Sequence, residues 1–203
     1  MRPVLKWSTV VTLSVGLALT AGWLATAASP ASRGAPARDE SRIRELNIGF
    51  FERRLARDPS SAYDLAQLAA LHLQRGRERG DPGDVIRAEQ LARTSLASRA
   101  LRNTKGYTTL VSTLLTEHRF TEARVAAERL LALDSTSVPS RATLAEIEME
   151  LGDYGAARTL FGALFAQRAN VAVAPRLARW LELQGQVEEA RRLLTAALDS
   201  AAT

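Results

Sequence analysis

From Ser41 onward, apolar residues recur every three to four positions, the spacing of one face of an α-helix. Whole pairs of such helices recur as well. LTEHRFTEARVAAERLLALD (115 to 134), ELGDYGAARTLFGALFAQ (150 to 167) and LQGQVEEARRLLTAALDS (183 to 200) align around Ala123, Ala157 and Ala190, at separations of 34 and 33 residues. Five residues before each alanine a turn is expected. Gly152 and Gly185 occupy it in two copies, where glycine adopts a positive φ at no steric cost; His118 stands there in the first. An apolar helix precedes each turn: Tyr107, Leu110, Val111 and Leu114; then Leu144, Ala145, Ile147 and Met149; then Leu177, Ala178, Trp180 and Leu181.

An earlier copy is distorted. Leu65, Leu68, Ala69 and His72 belong to its first helix, and Ala88, Leu91, Ala92 and Leu96 to its second. Between them RGRERGDPGD (75 to 84) reads as a turn lengthened by seven residues, yet Ala88 still lies 35 residues before Ala123. Ahead of it, 43–57 reads as a lone cap helix stopped by Asp58-Pro59. The pattern thus predicts a folded region over 41–203, with hairpins at about 61–98, 104–133, 138–167 and 173–199. One hairpin cannot bury both of its apolar stripes alone. Stacked neighbours bury them and leave a groove.

This pattern resembles the tetratricopeptide repeat family over Ser61 to Ser200. A small residue fills that family's eighth position (Ala69, Ala145, Ala178), and alanine fills the crossing position (Ala88, Ala123, Ala157, Ala190). Phe161 suits its later aromatic position, Tyr107 its early one, and Pro59 its closing proline; Val111 is bulkier than the pattern asks. The resemblance implies an all-α right-handed superhelix (an α-solenoid) that binds peptides or organises complexes and does no catalysis.

Outside the repeats the pattern changes. After Arg2 and Lys6, residues Trp7 to Ala28 carry no charge. As a helix they would span about 33 Å, enough to cross a bilayer core. The segment 1–28 is therefore either a transmembrane anchor or a signal peptide cut near Ala27 or Ala28, where Ala25-Thr26-Ala27 supplies small residues. The basic start keeps the N-terminus in the cytoplasm and exports the rest of the chain. An anchored chain would be a single-pass protein of a bacterial-type inner membrane; a cleaved one would be periplasmic or secreted. Pro30, Gly34 and Pro36 mark 29–40 as a flexible linker.

Chemistry adds little. The chain has no cysteine, two histidines and a formal charge of +5. No HExxH, CxxC, GxGxxG or GxxxxGK[ST] occurs, so no cofactor, metal or catalytic constellation is expected. Nucleic-acid binding is disfavoured by the lack of aromatic interleaving. Arginines cluster at Arg53, Arg54 and Arg57 and again at Arg75, Arg77 and Arg79, which makes them candidates for an acidic partner or anionic lipid headgroups. The last helix ends the repeats without a polar cap, so Leu194 and Leu198 are candidate contacts for a protein partner.

Overall fold

The computed structural model describes residues 35–166 and 173–201, and among these residues all regular structure is α-helical. The chain divides into two units, 1–42 and 43–203. The described part of the first, from Ala35, is helical. The helices are α1 (Ala35–Leu55), α2 (Ala62–Arg79), α3 (Pro82–Ser98), α4 (Thr104–Thr116), α5 (Phe120–Leu133), α6 (Val138–Glu150), α7 (Tyr154–Ala166), α8 (Ala174–Leu183) and α9 (Val187–Ala201). The uncharged segment 7–28 lies outside the described residues. No described helix is long and apolar enough to cross a membrane.

Helices α2 to α9 pair as successive antiparallel hairpins, and each hairpin packs on the next. Start signals are local. Ser61, Asp81, Asn103 and Ser137 each accept a hydrogen bond from a backbone N–H of the first helical turn. Stop signals repeat too. Gly80, His118, Gly152 and Gly185 have φ of 66°, 56°, 80° and 76°. At each, the next N–H bonds back to a carbonyl five residues earlier: Asp81 to Gly76, Arg119 to Leu114, Asp153 to Glu148 and Gln186 to Leu181, all at 2.9 Å. This left-handed closure satisfies carbonyls that a helix end leaves open.

The alanines at the helix crossings are buried. Ala69, Ala88, Ala123, Ala145 and Ala157 are wholly inaccessible, and Ala178 and Ala190 nearly so. A larger side chain there would hold the helices apart. One core runs from Ile48 of α1 through Leu65, Leu68, Leu91, Leu110 and Leu114 to Ile147 of α6. A second joins Ala142, Ala145 and Met149 of α6 to Phe161, Leu164, Leu177 and Trp180, with the Phe161 and Trp180 rings stacked 5.3 Å apart. Helix α6 therefore serves both cores from two faces.

Two boundaries differ from the sequence reading. The stretch 29–40 reads as a linker, yet α1 already begins at Ala35. Pro36 falls in its first turn, where the missing N–H costs nothing. The stretch 75–84 reads as one long turn, yet only Gly80 and Asp81 lie between α2 and α3. The extra residues lengthen both helices instead.

Candidate docking surface at the lengthened hairpin

Helices α2 and α3 have 18 and 17 residues, against 13 and 14 in α4 and α5. Their turn is built like the others, with a left-handed residue two positions before the next helix, but it stands farther out. Gly76 makes this possible. A Cβ there would lie 3.0 Å from the Asp81 carbonyl and 3.1 Å from both Asp84 Cβ and Val85 Cγ2, so any larger residue would push the two helices apart by a few tenths of an ångström. Asp81 then caps α3 through the Gly83 N–H at 2.8 Å, and Pro82 supplies a preset first-turn φ.

The extension leaves an overhang beside the end of α4. Between them lies a cavity of about 600 Å³, lined by Gly76, Arg77, Pro82, Val85, Ile86 and Thr116 among others. Its walls are mostly apolar, and Ile86 is half exposed. Arg77 stands at its edge and also borders a second groove of about 280 Å³ between α2 and α4, where Leu73, Thr108 and Ser112 contribute. The Arg77 guanidinium donates to the Ser112 carbonyl at 3.3 Å. A third depression of about 310 Å³ has Leu110, Leu114 and Ala126 as its floor, with Arg93, Glu122 and Arg129 around it.

The inner side of the same hairpin holds a charge network that no motif announces. Asp84 is 6% exposed. Arg75 grips it with Nε and Nη2, both at 2.6 Å, and His72 Nδ1 lies 2.7 Å from Oδ1. The Arg75 guanidinium, opposed by burial and assisted by His72, holds the Asp84 carboxyl at about 2. An ionised carboxylate only accepts, so the His72 Nδ1 must carry the proton in this contact. Arg75 also reaches Glu45 of α1 at 2.9 Å, as does Arg79 at 2.6 Å; the Arg75 pairings, Asp84 first and Glu45 after it, push its guanidinium further up. Arg44, itself buried, pairs with Glu78 through Nη1 at 2.6 Å.

The structure thus separates the residues singled out in the sequence. Arg75 is turned inward to Asp84 and Glu45, Arg79 pairs with Glu45 at the surface, and Arg77 alone of the three borders the cavity. Ala69, Ala88, Ala123, Ala145, Ala157, Ala178 and Ala190 lie between helices, and Gly152 and Gly185 in turns. Leu194 is partly buried against Ala178, Leu181 and Ala190, whereas Leu198 is 71% exposed. Ile86 and Val85 were missed. The available signal was the Asp-Pro pair at 81–82, a helix start that places the next apolar pair on an outer turn.

Similar charge pairs join successive hairpins. Arg119 binds Glu89 at 2.9 Å as well as Glu117 and Glu122, and Arg93 bridges Glu89 and Glu122. Arg176 and Arg179 reach back to Glu146 and Glu150. Most of these side chains are substantially exposed, so the pairs set register more than stability. Among the described residues no group of three or more His, Asp or Glu side chains is placed to hold a metal ion.

Comparison with known proteins agrees with this geometry. A tetratricopeptide repeat family profile matches residues 114–174. No curated protein matches the chain. Among solved structures, TTC0263, a thermophilic TPR protein of Thermus thermophilus, superposes with a TM-score of 0.66 at 19% identity, covering 85% of this chain and 90% of that one. MamA superposes at 0.60 with 17% identity, covering 81% and 94%. YrrB, described as a TPR protein with an unusual peptide-binding site, superposes at 0.59 with 16% identity, covering 81% of each chain. These likenesses establish the fold. The family profile covers residues 114–174, and the hairpin stack as a whole has the fold of these tetratricopeptide repeat structures.

Proposed function

We propose that the chain is a peptide-docking module whose principal pocket is the overhang between the α2–α3 tip and α4. One observation carries this reading: a largely apolar cavity of about 600 Å³, open to solvent, created by a lengthening that the repeat fold does not require. Loops and tips of solenoids accept such additions because they lie outside the stack, and partners meet them there. The peptide-binding site described for YrrB supports the class of ligand. Val85, Ile86 and Pro82 would take an apolar side chain, and Arg77 would hold a carboxylate or backbone carbonyl at the rim. Arg75 and Arg79 are left to their pairs with Asp84 and Glu45. With residues 1–28 acting as a cleaved export signal, docking takes place outside the cytoplasm, in the periplasm or beyond. Membrane anchorage and headgroup contact draw no support from the described helices and are not needed for this role.

Selection of a random-peptide phage library on the purified chain tests the proposal. Peptides with a bulky apolar anchor are expected to be enriched. Ile86→Glu, at a half-exposed position, is expected to weaken their binding at least tenfold while leaving the helical circular dichroism unchanged. No enrichment, or equal binding to the variant, overturns it.

A further inference from the structure

Both ends of the hairpin stack expose apolar residues, and they differ in charge. At the first end, α1 turns Ile48, Phe51 and Leu55 into the core. Ile43, Leu46 and Phe50, spaced three and four apart, share the opposite face and are 47% to 63% exposed. At the other end, Leu183, Val187 and Leu198 of α8 and α9 are 56% to 71% exposed. Solenoids need a polar outer face on their terminal repeats to stay apart from one another, and among the described residues each end interrupts its exposed charged residues with these apolar ones. Over 43–57 four arginines stand against two glutamates; over 182–201 four acidic residues stand against two arginines. Arg44 and Arg54 are paired with Glu78 and Asp64, and Glu188 with Arg191, which leaves Arg53 and Arg57 exposed beside the first apolar face and Glu182 and Asp199 beside the second.

From this complementarity we infer that copies of the chain associate head to tail, the α1 face of one copy covering the α8–α9 end of the next. The stack then continues across the contact, with apolar residues meeting apolar residues and arginines meeting carboxylates. Pairing of α1 with a second α1 would bring no acidic cluster to Arg53 and Arg57 from the same stretch 43–57. A head-to-tail contact joins unlike surfaces, so it leaves one free end of each kind and propagates unless the rotation closes a ring. The cavity beside α4 takes no part, so this association and the peptide proposal stand or fall separately.

Two blocked variants of the full chain test it by light scattering after size exclusion. Leu46→Glu with Phe50→Glu blocks the first end; Val187→Glu with Leu198→Glu blocks the second. All four positions are exposed, and circular dichroism confirms that each variant is folded. The wild-type mass is expected to rise with concentration above the 22.0 kDa of one chain, and to fall back as salt is raised. Each blocked variant alone is expected to stay at one chain mass. Their equimolar mixture is expected to give a species of two chains and nothing larger, because each supplies the end that the other lacks. A wild-type chain that stays monomeric overturns the inference. So does dimerisation of the second variant alone, which would signal α1–α1 pairing, or association that survives both blocks.

Discussion

Four turns of one geometry carry three glycines and one histidine, and the exception measures what the position asks of a side chain. His118 holds φ at +56°. For an L-residue that conformation costs roughly 1–2 kcal/mol. Glycine would remove this cost but lose about 0.5–1 kcal/mol through the greater freedom of its unfolded chain. The His118 ring also meets Phe120 edge-on, 5.6 Å between centroids, at a partly exposed site where such a contact contributes little. Strain relief wins by a small margin. His118→Gly is expected to raise the unfolding free energy by about 0.5 kcal/mol in urea melts. Gly152→Ala and Gly185→Ala, which put a Cβ onto the same conformation, are expected to lower it by about 1 kcal/mol. A destabilised His118→Gly would mean that the ring contact outweighs the backbone.

Within the α2–α3 hairpin, the pair of Arg75 and Asp84 fastens the lengthened helices to each other and, through Glu45, to α1. Asp84 titrates at about 2 in the fold against an ordinary 3.8. A depressed carboxyl contributes stability that is complete above its unfolded value and is lost as pH falls through its folded one. The window here is therefore about pH 4 down to pH 2, and the contribution at neutral pH is about 2 kcal/mol. Asp84→Asn keeps the shape and removes the charge. It is expected to be about 2 kcal/mol less stable than wild type at pH 7, with the gap closing as both are melted at about pH 3 and then pH 2. A gap that does not change with pH would assign the loss to packing rather than to the ion pair. The sequence made the hairpins legible, since alanines and left-handed turn positions recur at one period and each alone predicts a crossing or a stop. It hid this tip for a physical reason. RGRERGDPGD has the composition of a loop, and a mid-helix glycine costs about 1 kcal/mol relative to alanine. Tertiary contact overrides that propensity, because α3 packs close against α2 at Gly76. The destinations of Arg75 and Arg79 were hidden as well. Their partner Glu45 lies 30 and 34 residues away, and no local spacing joins them.

Across the whole stack, two cores meet at α6, and stability should divide there. In a solenoid each hairpin is coupled mainly to its neighbours, so a local defect opens the units beside it before it reaches distant ones. The seam is imperfect. Glu148 of α6 is buried, its Oε2 has no hydrogen-bond partner, and Arg124 comes only to 3.8 Å. Burial accordingly pushes its carboxyl up, with Arg124 opposing. Ala157 lies in the second core with Met149, Phe161 and Trp180 and has no accessible surface. Ala157→Leu adds three heavy atoms to a close crossing, an overpacking that costs roughly 1–3 kcal/mol. Its neighbour Arg158 is exposed, and Arg158→Leu is expected to stay within about 0.5 kcal/mol of wild type. Hydrogen exchange read by mass spectrometry locates the loss. In Ala157→Leu, amides of α6 to α9 are expected to exchange about tenfold faster or more, in line with the lost free energy, while those of α2 to α4 keep their wild-type protection. Equal acceleration in every helix would mean that the two cores open as one unit and that α6 transmits the strain instead of absorbing it. Unchanged exchange throughout would mean that α6 and α7 have room at the crossing, and that alanine there is not required by close approach.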